Sequence, residues 1–135
     1  MTVRYLSPSG MLQPAPYHHV AVASGSRHVY VSGQVGGPDD GTPMGRDLTS
    51  QVAQALRNVA TGLRGAGATF RDVVRLTFYV TDWSADRLDD FMAGVEQVAG
   101  EAVLDLPLPP ASLIGVAALF EPDVLVEVEA TAVLD

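Results

Sequence analysis

The chain has 135 residues, 47% hydrophobic and 18% charged, with no cysteine and a formal net charge of -8 from 16 acidic and 8 basic residues. This composition excludes a disordered chain, a disulfide framework, a thiolate nucleophile and cysteine-ligated zinc. It also argues against nucleic acid as a partner, because a phosphate-tracking surface needs clustered cations and none of the basic residues here form a block.

One domain over residues 1–135 is expected, since neither a repeat nor a composition shift divides the chain. The segment Met1–Tyr5 lacks the basic and apolar runs of a signal peptide, and no apolar run approaches a membrane span. A cytoplasmic protein without membrane contact is the resulting expectation.

In chain order, Val3–Leu6 reads as a short strand, followed by a loop that holds Pro14 and Pro16 and closes on Tyr17, His18 and His19. Runs at His19–Ala23 and Arg27–Val35 read as strands joined through Ser24-Gly25-Ser26 as a hairpin turn. The second run contains Ser32-Gly33-Gln34, and a glycine inside a strand signals a bulge or a close approach by a ligand or another backbone.

Asp47 or Thr49 can cap a helix in which Val52, Leu56, Val59, Ala60 and Leu63 recur at helical spacing until Gly65 and Gly67. Val73–Thr81 alternates as a strand with one apolar face. Ser84 reads as the N-cap of a second helix carrying Leu88, Phe91, Met92, Val95 and Val98 on one stripe.

The last quarter, Pro109–Val133, reads as a strand hairpin broken at Phe120-Glu121-Pro122-Asp123. In its second run Glu127 and Glu129 share a face with Leu125, Thr131 and Val133. The fold class is therefore α+β, a mixed six-stranded sheet with two helices on one face. The opposite face carries Tyr30, Ser32, Gln34, Arg75, Tyr79 and Glu127, too apolar for open solvent and too polar for an ordinary core, which gives the chain a motive to self-associate.

At these residues the chain resembles the RidA/YjgF family, also called L-PSP endoribonucleases and enamine/imine deaminases. The stretches that carry the resemblance are P-Y-H-H-V-A-V from Pro16, V-Y-V-S-G-Q-V from Val29, Gln51 with Leu56-Arg57-Asn58-Val59, D-V-V-R-L-T-F-Y-V-T-D from Asp72, and V-E-V-E-A-T-A-V from Val126. The resemblance implies a chorismate-mutase-like fold, a homotrimer with pockets at subunit interfaces, and cofactor-free hydrolysis of a reactive enamine or imine to a carbonyl compound and ammonia. It further implies catalytic roles for Glu127, as the residue that positions water, and Tyr17. Ser32, Gly33 and Gln34 would shape the substrate pocket. The family's carboxylate-gripping arginine does not carry over: Ala111 stands in its place, and no Arg or Lys lies between Ala102 and Asp135. Asp89 matches a family asparagine that contacts substrate, with the spacing off by about one residue.

Four readings follow. The first is an imine or enamine deaminase with an altered substrate. The second is an acid/base enzyme such as a tautomerase, dehydratase or cyclase, since one carboxylate in a partly apolar pocket can act as a general base. The third is a non-catalytic trimer that binds a small molecule. The fourth, a ribonuclease, conflicts with the acidic balance. His18, His19 and His28 give no metal-ligand spacing, because adjacent side chains diverge in an extended segment.

Overall fold

The computed structural model describes residues 2–135. In chain order it contains β1 (Val3–Leu6), β2 (Val20–Ala23), β3 (Arg27–Val35), α1 (Leu48–Gly65), β4 (Val73–Thr81), α2 (Leu88–Gly100), β5 (Ala111–Val116) and β6 (Val126–Leu134). The six strands and two helices form the expected α+β arrangement. Hydrogen bonding divides the strands into an antiparallel β1–β2 pair and a four-stranded sheet of order β3-β6-β4-β5. Within the larger sheet β6 runs antiparallel to both its neighbours while β4 and β5 are parallel, so the sheet is mixed.

The helices follow from amphipathic spacing. Asp47 begins α1 by accepting a 2.9 Å hydrogen bond from the Ser50 backbone N–H, which satisfies one of the donors left free at a helix start. The helix buries Val52, Leu56, Val59 and Leu63, while α2 buries Phe91, Val95 and Val98. Both stripes pack onto Leu76, Phe78, Val80, Val126, Val128 and Ala130 of the sheet, with Phe78 and Phe91 edge to face at 4.9 Å. The helix layer therefore uses one face of the sheet and leaves the other open.

Among the described residues, Gln51 is the one polar residue wholly buried. Its side-chain amide donates to the carbonyls of Gly45 at 2.8 Å and Asp123 at 2.9 Å, and its Oε1 accepts from the Leu125 N–H at 2.8 Å. Burial is tolerated because these hydrogen bonds replace water. They also tie α1 to the segment that leads directly into β6.

Three expectations are corrected. Pro109–Val133 is not a hairpin: β4 lies between β5 and β6, and β5 pairs with β4 in parallel. A parallel pair needs a long crossover, which α2 supplies, and the break around Pro122 belongs to a longer loop over residues 117–125. Nor does Ser24-Gly25-Ser26 join a hairpin, because β2 pairs with β1. A side chain at Gly25 would lie 2.2 Å from the Leu134 carbonyl oxygen, so glycine lets the chain pass close to the end of β6 as it enters the larger sheet. Ser84 precedes a single 3-10 turn, Ala85–Arg87, and its hydroxyl bonds to Asp86 instead of capping α2; Leu88 is exposed.

Candidate active site

The open face is built in rows across the sheet. One row aligns Val35, Glu127, Tyr79 and Ile114. The next on the same side aligns Glu129, Thr77 and Ser112, and a third aligns Tyr30, Thr131 and Arg75. The rows between them, with Val128 and Phe78 or Ala130 and Leu76, face the helices and are buried.

β3 breaks this order where its glycine stands. Pairing passes from Val31–Ala130 to Gln34–Val128, so Ser32 and Gly33 together oppose Glu129 in a bulge. An added Cβ at Gly33 would lie 2.3 Å from Glu127 Oε1, 2.5 Å from its Cδ and 2.7 Å from its Cγ. The Glu127 side chain therefore lies across Gly33 in space that only glycine leaves free. The bulge reading of this strand glycine holds, whereas the close approach is made by the Glu127 side chain and not by a ligand or another backbone.

Beside it, the Tyr79 hydroxyl donates to Glu129 Oε1 at 2.7 Å. That hydrogen bond, followed by desolvation and the charges of Glu129 and Glu127, raises the Tyr79 pKa above its ordinary value. Tyr79 is thus held as a neutral donor to Glu129. An open hollow of about 410 Å³ lies on the Glu129 side of these groups, lined by Tyr30, Ser32, Arg75, Thr77, Glu129 and Thr131 among others, with Glu127, Gly33 and Tyr79 outside its lining.

The remaining predicted residues stand elsewhere. The bulge puts Gln34 in register with Val128, on the helix-facing row and not on the open face; its amide donates to the Ser32 carbonyl at 3.1 Å. Ala111 is in register with Leu76, half-buried at the start of β5. Tyr17 bridges to Leu108 just before β5 and packs against the core. Asp89 lies in the first turn of α2, in the helix layer. Among the histidines, His18 stacks on Tyr5 with ring centres 4.8 Å apart, while His19 donates from Nε2 to the Leu12 carbonyl at 2.7 Å. The candidates thus fall into two groups: Glu127, Gly33 and Ser32 near the β3 edge, and Tyr17 and Ala111 near the β5 edge. Three strand spacings, about 14 Å, separate those edges.

The chemistry available at the first group is that of a carboxylate able to accept a proton from water, with a neutral phenol alongside. The Tyr79–Glu129 pair, and a second one in which an Arg75 terminal nitrogen donates to Ser112 Oγ at 2.5 Å, have no signal of their own in the sequence. Alternation in β4 placed Arg75 and Tyr79 on the correct face, but their partners emerge only once the register is known.

Comparison with known proteins agrees with this architecture. The model of the endoribonuclease L-PSP family matches residues 10–134. The chain belongs to this family. The RutC family protein slr0709 of Synechocystis is 31% identical over 137 residues, covering 99% of this chain and 98% of its own. A crystal structure of a Rid family protein of unknown function, YyfB from Yersinia pestis, superposes with a TM-score of 0.85 at 36% identity, over 99% of this chain and 100% of that one. The human 2-iminobutanoate/2-iminopropanoate deaminase is 32% identical over 68 residues, 50% of this chain and 48% of its own. The RidA/YjgF resemblance seen in the sequence motifs is therefore a family relationship, and the fold is the YjgF fold.

Proposed function

We propose that the protein is a hydrolytic deaminase of reactive imines or enamines, acting through Glu127 at a site completed by a second copy of the chain in a homotrimer. The observation that carries this reading is the Glu127 carboxylate lying over the Gly33 bulge on an open sheet face. Placed there, the carboxylate holds a water against the carbon of a C=N bond, takes one proton as the C–O bond forms and passes it to nitrogen; it then takes the hydroxyl proton of the tetrahedral intermediate and delivers it to nitrogen as the C–N bond breaks, leaving the carbonyl product and ammonia. The partial similarity to a human imine deaminase supports the same chemistry.

Two further observations support the assembly. Tyr17 and Ala111 stand at the opposite sheet edge from Glu127 and Gly33, so a pocket using both groups needs two copies. The open face also exposes Tyr30 at 74% and Ile114 at 44%, apolar surface of the kind that contacts between copies cover. Generating 2-imino acids in situ with an amino-acid oxidase and following their hydrolysis tests the reading. Acceleration that disappears in Glu127→Gln is expected, and an unchanged background rate with the wild-type protein rejects it.

A further inference from the structure

The missing arginine at position 111 suggests a substrate without a carboxylate, yet the open face offers a cation from another strand. Arg75 of β4 projects onto that face, in the same row as Thr131 and Tyr30. The ion pairs of the described residues are Arg57–Glu101 and Arg71–Asp105, so Arg75 has no carboxylate partner among them. Its one hydrogen bond runs from a terminal guanidinium nitrogen to Ser112 Oγ at 2.5 Å, at the residue immediately after Ala111. Most of its five N–H donors therefore remain free. Arg75 is the one basic residue, among those described, that lines the 410 Å³ hollow, and the hydroxyl-bearing residues Tyr30, Ser32, Thr77 and Thr131 line it with it. The only carboxylate in that lining, Glu129, is engaged by the Tyr79 hydroxyl.

We infer that Arg75 grips the anionic end of the ligand, a planar carboxylate, and so takes over from β4 the role that position 111 cannot fill. A guanidinium with free donors is suited to bidentate recognition of a carboxylate, and the neighbouring hydroxyls add hydrogen bonds, while Glu129 is the one negative charge in the lining and has one oxygen turned to Tyr79. Within one copy the Glu127 carboxylate lies over Gly33 of β3 and the Arg75 guanidinium reaches Ser112 of β5, three strand spacings or about 14 Å apart. The guanidinium thus joins the group at the β5 edge, and in the proposed trimer it serves the Glu127 of a neighbouring copy. A water held by Glu127, the carbon it attacks and a carboxylate on the neighbouring carbon span about 10 Å at ordinary contact lengths, the separation that the assembly has to provide. Ala111 thus does not exclude carboxylated imines, because the cation comes from a different strand.

The placement of the reacting carbon rests on the proposed deaminase chemistry, but the anion site is testable without turnover. Pyruvate, a stable planar 2-oxo acid, serves as the probe in calorimetric titrations of wild-type protein, Arg75→Gln and Arg75→Lys, each checked for the wild-type assembly state. Arg75→Gln should weaken binding at least tenfold. Arg75→Lys should fall between, since an ammonium keeps the charge and loses the fork. Equal affinity in wild type and Arg75→Gln, or no pyruvate binding by the wild type, overturns the inference. If Arg75→Gln does not assemble, a crystal structure of the wild type with pyruvate decides: carboxylate oxygens within about 3.2 Å of the guanidinium are expected, and a carboxylate bound elsewhere refutes it. Pyruvate held by Arg75 without any imine hydrolysis would reject the deaminase reading alone. Hydrolysis with affinity unchanged in Arg75→Gln would reject the anion site alone.

Discussion

Gly33→Ala separates the function of the bulge from its contribution to folding. Gly33 does not need the left-handed conformation, so alanine fits the backbone, and a strand glycine is on its own about 0.5–1 kcal/mol less favourable than alanine. The obstacle is the Glu127 side chain, whose Oε1 lies 2.3 Å from the new methyl position. Ordinary contact begins at 3.4 Å, so the carboxylate must shift by about 1 Å or more. Because that carboxylate is the far end of a flexible chain on an open face, the shift costs little stability. A misplacement of that size in a group that orients water is worth on the order of 100-fold in rate. The expected result is a melting curve within about 1 kcal/mol of wild type together with imine hydrolysis reduced by roughly two orders of magnitude. Wild-type turnover in a properly assembled Gly33→Ala protein would show that the position of Glu127 over the bulge is not used. A collapse in stability would show that the bulge is held by something other than this contact.

Three other outcomes follow. Gln51→Ala strands the Gly45 and Asp123 carbonyls and the Leu125 N–H inside the protein, and denaturant titration should show a loss of about 2–4 kcal/mol; a change below about 0.5 kcal/mol would contradict the tie between α1 and β6. Phe78→Ala removes the largest wholly buried side chain, which packs edge to face on Phe91, and should cost about 3–5 kcal/mol by the same measurement. Burial, and secondarily Asp72, pushes the Tyr5 hydroxyl up to about 12. Because the folded value lies above the unfolded one of 10.0, its contribution is complete below pH 10 and is lost as pH rises toward 12. Discounted for the solvent that reaches the ring, this amounts to about 1 kcal/mol, and Tyr5→Phe should flatten that part of the stability profile.

The helices and the two alternating strands were legible because their patterns are local. Val52, Leu56, Val59 and Leu63 mark α1 by spacing alone, and the alternation around Glu127 places both glutamates of β6 on one face. Pairing was not legible. The break at Pro122 marks a loop in either topology, so nothing local distinguishes a β5–β6 hairpin from a crossover that leaves β4 between them. The bulge had a similar effect at the site. Ser32-Gly33 announced an irregularity, but counting by twos through it assigns Gln34 to the wrong face, since two residues of β3 oppose one of β6. Arg75 illustrates the same limit: its row is readable from β4, whereas its approach to Ser112 depends on the parallel register with β5. The motifs of the sequence therefore point to the family, whereas the approach of a β4 cation to β5 is visible only in the fold.

The measurement that bears most directly on the deaminase reading is the hydrolysis rate of 2-imino acids produced in situ, with wild-type protein and Glu127→Gln at equal concentration and equal assembly state. The account predicts acceleration in proportion to wild-type protein and a return to the background rate with Glu127→Gln. Background rates for both proteins, or full activity in Glu127→Gln, would contradict it.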